Sequence, residues 1–357
     1  MKEKINYVVF GIIIFLMASL TGLHFFNSTS GFRQVKRIPL PTAEPTPLPS
    51  LTPTATPEPA KVTVMIGGDV MFDRNIRLAS EKNGYDFPLS GLEEFFQQAD
   101  LVLVNLEGPI TDNQSVSVGS QPGSRNNFIF TFAPQILAAL KKANINLVNL
   151  GNNHILNFGV AGYQETKDYL EQANIRFFGQ IGEQVEAEEQ YLSFIWREKG
   201  ITIGFVNFNQ FSGGKVEGEM DVVLQEIKRL RPEVDWLVVY PHWGNEYVLE
   251  PNQVIKNWAQ QFVDVGADLV IGAHPHVEQI NEVYQGKEIY YSLGNLVFDQ
   301  YFQPEVRQGL VLEIEFFQDK KEIKEHRVEL KPGGQTVFSS ADQPSPLLSP
   351  TLLPNQL

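Results

Sequence analysis

Apolar residues along this chain fall in short unbroken runs more often than in strict alternation with polar ones. VTVMIG (62–67), LVLVNL (101–106), INLVNLG (145–151), ITIGFVNF (201–208), DWLVVY (235–240) and ADLVIGA (267–273) all have this form. Such runs predict strands covered on both faces, as in a largely parallel sheet buried between layers. Between several of them, apolar positions recur at helical spacing over 91–99, 134–143, 160–173, 219–230 and 252–265. In KKANIN and EQANIR an Asn stands where a helix stops in the left-handed conformation before the next strand. Residues 277–299 and 309–330 read as antiparallel hairpin strands that complete the sheets. Strand–helix–strand alternation predicts an α/β fold with helices covering a mixed β core. It also places ligand sites beyond the carboxyl ends of the strands.

Two segments break the pattern. No Asp, Glu, Lys or Arg occurs between Lys4 and Arg33, and residues 5–26 (INYVVFGIIIFLMASLTGLHFF) are mostly apolar. That run meets the roughly 20-residue requirement for a helix crossing a bilayer. A cleavable signal peptide is the rival reading; the lack of an A-x-A site, and of any cysteine for a lipid anchor, favours an uncleaved anchor. Lys2 and Lys4 precede the run while Arg33, Lys36 and Arg37 follow it, so charge alone does not orient it. Within the linker 27–60, residues 39–60 contain eight prolines and five threonines. That composition favours an extended spacer of up to roughly 70 Å. A stalk directly after an anchor usually holds a domain off the outer face, the alternative being an ordinary disordered linker on the cytoplasmic side. The expected organisation is an anchor at 5–26, the linker 27–60, a folded domain at 61–331 and a loose Pro/Ser/Leu-rich tail at 332–357, single-pass with the domain extracytoplasmic.

Composition then narrows the chemistry. The 357 residues carry 28 Lys+Arg against 42 Asp+Glu, a net charge of −14, which argues against nucleic acid as a partner. With no cysteine there can be no disulfide, thiolate metal site or thiol nucleophile, so a metal would need His, Asp, Glu or Asn. Four of the six histidines fall just after predicted strands. The first strand runs into Asp69, followed by Asp73 and Arg74; the second carries Asn105 and Glu107; the third opens into Asn153 and His154. Later strands run into His242 and Glu246, into His274 and His276, and into Asn295. Each residue has a plain structural alternative: a cap or Asx turn for Asp69, a solvated turn for Glu107, a left-handed turn for Asn153, a hydrogen-bonded core residue for any single His. In His274-Pro275-His276, positions i and i+2 would share one face of an extended chain. The recurrence at successive strand ends favours a metal site over scattered turn chemistry. The donor set suits one or two divalent ions, Mn²⁺, Fe²⁺ or Zn²⁺. Two ions bridged by a carboxylate could serve a hydrolysis, with a nearby His protonating the leaving group.

GDVMFDR, NLEGPIT, GNNHILNFG, PHWGNEY, GAHPHV and YSLGNLVFDQ, in this order over residues 62–301, resemble the CapA family of bacterial capsule-synthesis proteins. The resemblance implies a calcineurin-like metallophosphatase-type fold, a four-layer α/β/β/α sandwich with mixed sheets. It implies Asp69 as a first-site carboxylate, Glu107 as the bridge, Asn153, His242 and His274 as second-site ligands, and His276 returning to the first site. His154 would be the neighbouring acid. Arg74, here grouped with His154 as catalytic, belongs with Glu246 and Asn295 to the family's own motifs around the pocket, as anion-binding or supporting groups. Asp73 and Asn105 would act as substrate-binding or supporting groups. The metallophosphatase pattern has a His where this chain has Met71, which leaves the first site short of a ligand unless Asp73 replaces it. The implied function is extracytoplasmic capsule or poly-γ-glutamate assembly with a metal-dependent phosphoester or γ-amide hydrolase site. The implied partners are capsule synthase subunits and an anionic envelope polymer. A non-catalytic polymer-binding subunit and a metallophosphoesterase unrelated to capsule are the alternatives.

Overall fold

The first strand, β1 (Val62–Val70), alternates its side chains between two buried environments, and the architecture follows from that. Val62, Val64 and Ile66 point to one cluster, Met65 to another. The computed structural model describes residues 60–179, 181–182, 184–185 and 191–339. The expected anchor at 5–26 and all but the last residue of the linker lie outside the described residues. Among the described residues no helix is long and apolar enough to cross a membrane.

Three more parallel strands follow β1 in its sheet: β2 (Leu101–Leu106), β3 (Ile145–Asn149) and β4 (Arg176–Phe178). On the other side of β1 the sheet turns antiparallel through β12 (Gln308–Phe316), β13 (Lys321–Leu330) and β14 (Thr336–Phe338). The second sheet has the order β5-β6-β7-β8-β10-β9. Its strands are β5 (Ser193–Glu198), β6 (Ile201–Asn209), β7 (Trp236–His242), β8 (Leu269–Ile271), β9 (Asn281–Tyr284) and β10 (Lys287–Tyr290). Strands β6, β7, β8 and β10 run parallel, with β5 and β9 as antiparallel edges.

Helices α1 (Arg74–Asn83), α2 (Glu93–Phe96), α3 (Ile136–Lys142) and α4 (Gly159–Gln172) belong to the first sheet; α5 (Val216–Leu230) and α6 (Gln253–Asp264) belong to the second. Ile76, Leu140 and Leu170 pack with Val102, Val104 and Val148 on the outer face of the first sheet. Val223, Ile227 and Phe262 do the same with Val206, Val239 and Val270 of the second. Ile66, Leu103, Phe205, Val238 and Leu269 fill the space between the sheets. The order is helices, sheet, sheet, helices: the four-layer α/β/β/α sandwich, whose central strands have no polar face to show in sequence.

The structure departs from the sequence expectation in four places. Helix α1 leaves no periodic signal in the sequence, because it buries only Ile76 and Ser80 and so lacks an apolar stripe; Asp73 caps it by accepting Arg74 N–H. Strands β4 and β5 were not expected, being respectively three residues long and only half-buried. Residues 277–299 do not form one hairpin. β9 and β10 pair across Gln285-Gly286, both with positive φ as a tight hairpin turn requires. The chain then leaves the second sheet, and β11 (Asn295–Val297) pairs parallel with β1. Finally, the folded part passes residue 331. Thr336 of β14, in the expected tail, is buried and donates its hydroxyl to Leu296 O at 2.6 Å. The Pro332-Gly333-Gly334 turn hid that three-residue strand.

Candidate metal centre

The chemistry-bearing residues sit at the carboxyl ends of parallel strands from both sheets. Asp69 of β1, Asn105 of β2 and Asn149 of β3 are direct neighbours in the ladder. On the second sheet His242 ends β7 and bridges to Ala273, which leads into His274 and His276. Asn295 of β11 is the register partner of Asp69. His274 and His276 have φ of 98° and 58°, so His-Pro-His is a left-handed bend and not the extended segment expected from sequence. Non-glycine residues held in that region store strain, which is found mostly where a side chain must be aimed. The bend brings the two rings to 5.9 Å between centroids.

Glu107 is the centre of the cluster. It is fully buried, and among the described residues neither of its oxygens accepts a hydrogen bond. Its Oε1 lies 3.8 Å from His242 Nε2, 3.8 Å from His276 Nε2 and 3.9 Å from His154 Nε2. Buried His274 Nδ1 is also without a partner among the described residues. Glu107, His274 and His276 each offer one ligand atom, all within 4.8 Å of one another, and could hold a metal ion. A buried, unpaired carboxylate is costly unless a cation faces it. Hence the residues present fit a divalent ion.

The protonation states say the same. Burial pushes the Glu107 carboxyl well above the usual range, and the Asp69 charge adds to it. Burial opposes charge on His276, yet Glu107, the hydrogen bond to Asp69, and the Asp69 and Glu246 charges outweigh it and push the ring up to about 9. Burial lowers His154 to about 4 and holds His242 and His274 well below the ordinary histidine value. The buried Glu107–His276 pair therefore favours a positive charge beside the carboxylate.

The hydrogen bonds assign the rings. Asn157 Oδ1 accepts Phe130 N–H at 2.7 Å, so His154 Nδ1, 3.1 Å away, is the donor. The lone pair of neutral His154 is therefore on Nε2, facing Glu107. Asn105 donates to Asp69 Oδ1 at 2.7 Å and to His242 Nδ1 at 3.2 Å, while its own oxygen accepts from Asn149 and Asn152. In the absence of an ion His242 accordingly carries its proton on Nε2 and donates to Asn153 Oδ1 at 2.9 Å, a bond that an ion held by these two residues would replace. His276 Nδ1 donates to Asn295 Oδ1 at 2.9 Å and lies 3.3 Å from Asp69 Oδ2.

Of the expected residues, Asp69, Glu107, Asn153, His154, His242, His274, His276, Asn105 and Asn295 come together. Arg74 stands beside them, since its charge lowers the proton affinity of both Glu107 and His154. Exposed Glu246 reaches the cluster through its charge on Glu107 and His276. Asp73 does not substitute for the missing first-site ligand: its Oδ1 takes Arg74 N–H and Arg77 Nε, and its Oδ2 takes Thr131 N–H at 2.8 Å. The sequence reading missed Asn149 and Asn152, whose place at the end of β3 was the available signal. It also missed the aromatic walls: Phe211 against His274, Phe130 against His154 and Phe298 against His276, at ring separations of 4.4, 4.3 and 4.7 Å.

Comparison with known proteins agrees with the motifs. The chain is 30% identical to the PGA biosynthesis protein CapA of Bacillus subtilis (strain 168), over 65% of this chain and 62% of that one. It is 27% identical to the capsule biosynthesis protein CapA of Bacillus anthracis, over 68% and 61%. The chain thus spans about three fifths of the length of these curated relatives. Among solved structures, a hypothetical protein from Thermus thermophilus aligns over 75% of this chain and 99% of its own, at 16% identity and a TM-score of 0.48. The family model for the bacterial capsule synthesis protein PGA_cap matches residues 63–300, from β1 through β11 and every strand end described above, and the chain belongs to that family.

Proposed function

We propose that this chain is a membrane-anchored, extracytoplasmic accessory protein of poly-γ-glutamate or related capsule assembly, with a divalent-metal-dependent hydrolase centre. The capsule assignment draws on the names of its Bacillus relatives. The anchoring and sidedness draw on residues 5–26 and the proline-rich stalk after them. Capsule synthase subunits and the anionic polymer are the partners this role requires. One observation carries the metal-dependent reading: a fully buried Glu107 carboxylate with no hydrogen bond among the described residues, ringed by three imidazole Nε2 atoms at 3.8–3.9 Å.

Glu107, Asn153, His242, His274, His276 and Asp69 are the residues that would hold one or two ions, and their oxygen and nitrogen donors suit Mn²⁺, Fe²⁺ or Zn²⁺. When bound, an ion supplies Lewis acidity toward a phosphoryl or carbonyl oxygen. His154, its ring fixed by Asn157 and packed on Phe130, would take a proton at Nε2 from the attacking water and pass it to the leaving oxygen or nitrogen as the bond breaks. Asn105 holds Asp69 and His242 in register. The bond broken is a phosphoester or a γ-amide. A non-catalytic polymer-binding subunit is the second reading, and Met71 in place of a ligand favours it.

Elemental analysis of the full-length chain purified without chelator, beside Glu107→Gln, tests the proposal. One equivalent or more of a transition metal, lost in the variant, is the expected result and would justify assays on phosphoesters and γ-glutamyl amides. No metal after reconstitution with Mn²⁺ or Zn²⁺ would overturn it in favour of the binding subunit.

A further inference from the structure

A cleft of about 430 Å³ opens beside the centre, within the size range of small-ligand sites. Tyr247 joins the two: it lines the cleft and stacks on His276 at 6.0 Å. Ser117, Ser120, Asn127 and Gln300 are among the residues that contribute amides and hydroxyls to the lining, and Phe128 and Phe302 add rings that are 47% and 64% exposed. Among the lining residues Arg74 is the only cation and Asp299 the only acid.

Arg74 is fixed in place. Its guanidinium lies 5.0 Å from the Phe130 ring centroid and 5.3 Å from that of Phe298, and its Nη2 pairs with Asp299 Oδ1 at 2.5 Å. Its Nε is buried without a hydrogen-bond partner among the described residues, and its φ is 51°. Asp299 is tethered through its other oxygen, which accepts Asn75 N–H at 3.1 Å and the Asn75 amide at 3.0 Å. A guanidinium desolvated by two rings, with a donor to spare, is a planar oxyanion receptor whose place is already taken by a carboxylate of the same chain.

We propose that this cleft seats the substrate chain and that Arg74 reads one oxyanion on it, a carboxylate or a phosphate, which displaces Asp299 from the guanidinium. Calling the ligand a substrate rests on the hydrolase reading above; the oxyanion site itself needs no metal. Recognition is of a single charged group. A polyanion held along its length would meet one cation, one opposing carboxylate and a chain of net charge −14. The uncharged parts of the ligand lie against the rings, amides and hydroxyls.

The test uses the full-length chain stripped of metal, titrated by calorimetry with inorganic phosphate and, separately, glutarate. Asp299→Asn removes the internal competitor and should bind one of these probes at least about tenfold more tightly than the parent, while Arg74→Gln should lose at least about tenfold, the size of one charge-assisted hydrogen bond. The probe that responds identifies the oxyanion. Unchanged affinity for both probes in Asp299→Asn, or in Arg74→Gln, would overturn the proposal. γ-Linked glutamate oligomers, which carry one free α-carboxylate per residue, give a further arm: affinity per carboxylate independent of length supports single-group recognition, whereas affinity per carboxylate climbing with each added residue overturns it. Because no metal is present, these outcomes are independent of whether the centre loads an ion.

Discussion

Raising the pH should tighten metal binding and loosen the metal-free fold, and both effects trace to His276. In the metal-free chain that ring is pushed up to about 9 between Glu107 and Asp69, so it is protonated at neutral pH. An ion can use Nε2 only after the proton leaves. Apparent affinity should therefore rise about tenfold per pH unit from about pH 6.5 and level off near pH 9. At pH 7 it should lie about a hundredfold, or about 3 kcal/mol, below the plateau. The metal-free protein should behave oppositely. A histidine with a raised folded-state pKa contributes stability that is fully present below its unfolded value of about 6.5 and is lost as pH rises through about 9; the loss here is about 3 kcal/mol.

Titration of the stripped full-length chain with Mn²⁺ or Zn²⁺, in buffers of differing ionisation enthalpy, counts the protons released. About one or more per ion is expected near pH 7.5, falling toward zero above pH 9. Thermal melts with and without ion should diverge as the pH increases. A flat affinity from pH 6.5 to 9 with less than about half a proton released would refute the reasoning, since it would mean that no protonated group occupies the place of the cation.

Two substitutions probe the frame around the site. In Gly68→Ala the added methyl would overlap the Gly294 carbonyl oxygen, which is fixed by accepting Asp69 N–H at 3.1 Å; a loss of about 3 kcal/mol in denaturant unfolding is expected, and a loss below about 1 kcal/mol would show that β11 can move away from β1. Asn105→Ala removes the donor to Asp69 and His242 and takes the acceptor from the Asn149 amide, while the Asn152 amide keeps Leu106 O at 2.9 Å. Metal affinity should fall about ten- to hundredfold, as for other groups that orient ligands, whereas unchanged affinity would make the asparagine layer merely structural.

How much of this was legible depended on whether one residue's neighbours in sequence were also its neighbours in space. The buried strands were, since a strand covered on both faces must be apolar at successive positions: β2 was located to the residue, and β3, β6, β7 and β8 to within a few. The strand-end rule then named side chains that the fold gathers, without any knowledge of distances. What failed was information held elsewhere in the fold. Asp73 looks like a spare ligand because it follows Asp69 by four residues, but the structure turns the chain there and gives the carboxylate to α1 and Thr131. The tautomer of His154 could not be read either, because it depends on Asn157, whose oxygen is oriented by Phe130 N–H. Strand β11 left one sheet for the other through a contact with Gly68 that no local pattern encodes.

Met71 ties these threads together. It is fully buried, its amide bonds to Val297 O at 2.8 Å, and its sulfur lies 2.9 Å from Asp73 N, so its side chain packs into the β1–α1 turn and offers nothing to the cluster. The two halves of the site are consequently unequal. Asp69 already accepts Asn105 on Oδ1 and the His274 backbone N–H, at 3.1 Å, on Oδ2. Only Glu107 keeps both oxygens free of hydrogen bonds among the described residues, and it faces His242 and His276 directly with His274 close by. The cation that this pocket most needs is therefore one seated on Glu107, and a second ion toward Asp69 would have to compete with hydrogen bonds that hold the first strand to its neighbours. With Met71 where the metallophosphatase pattern has a histidine, the Glu107 half keeps its donors in place, and on the proposed reading binding and chemistry would centre on that carboxylate.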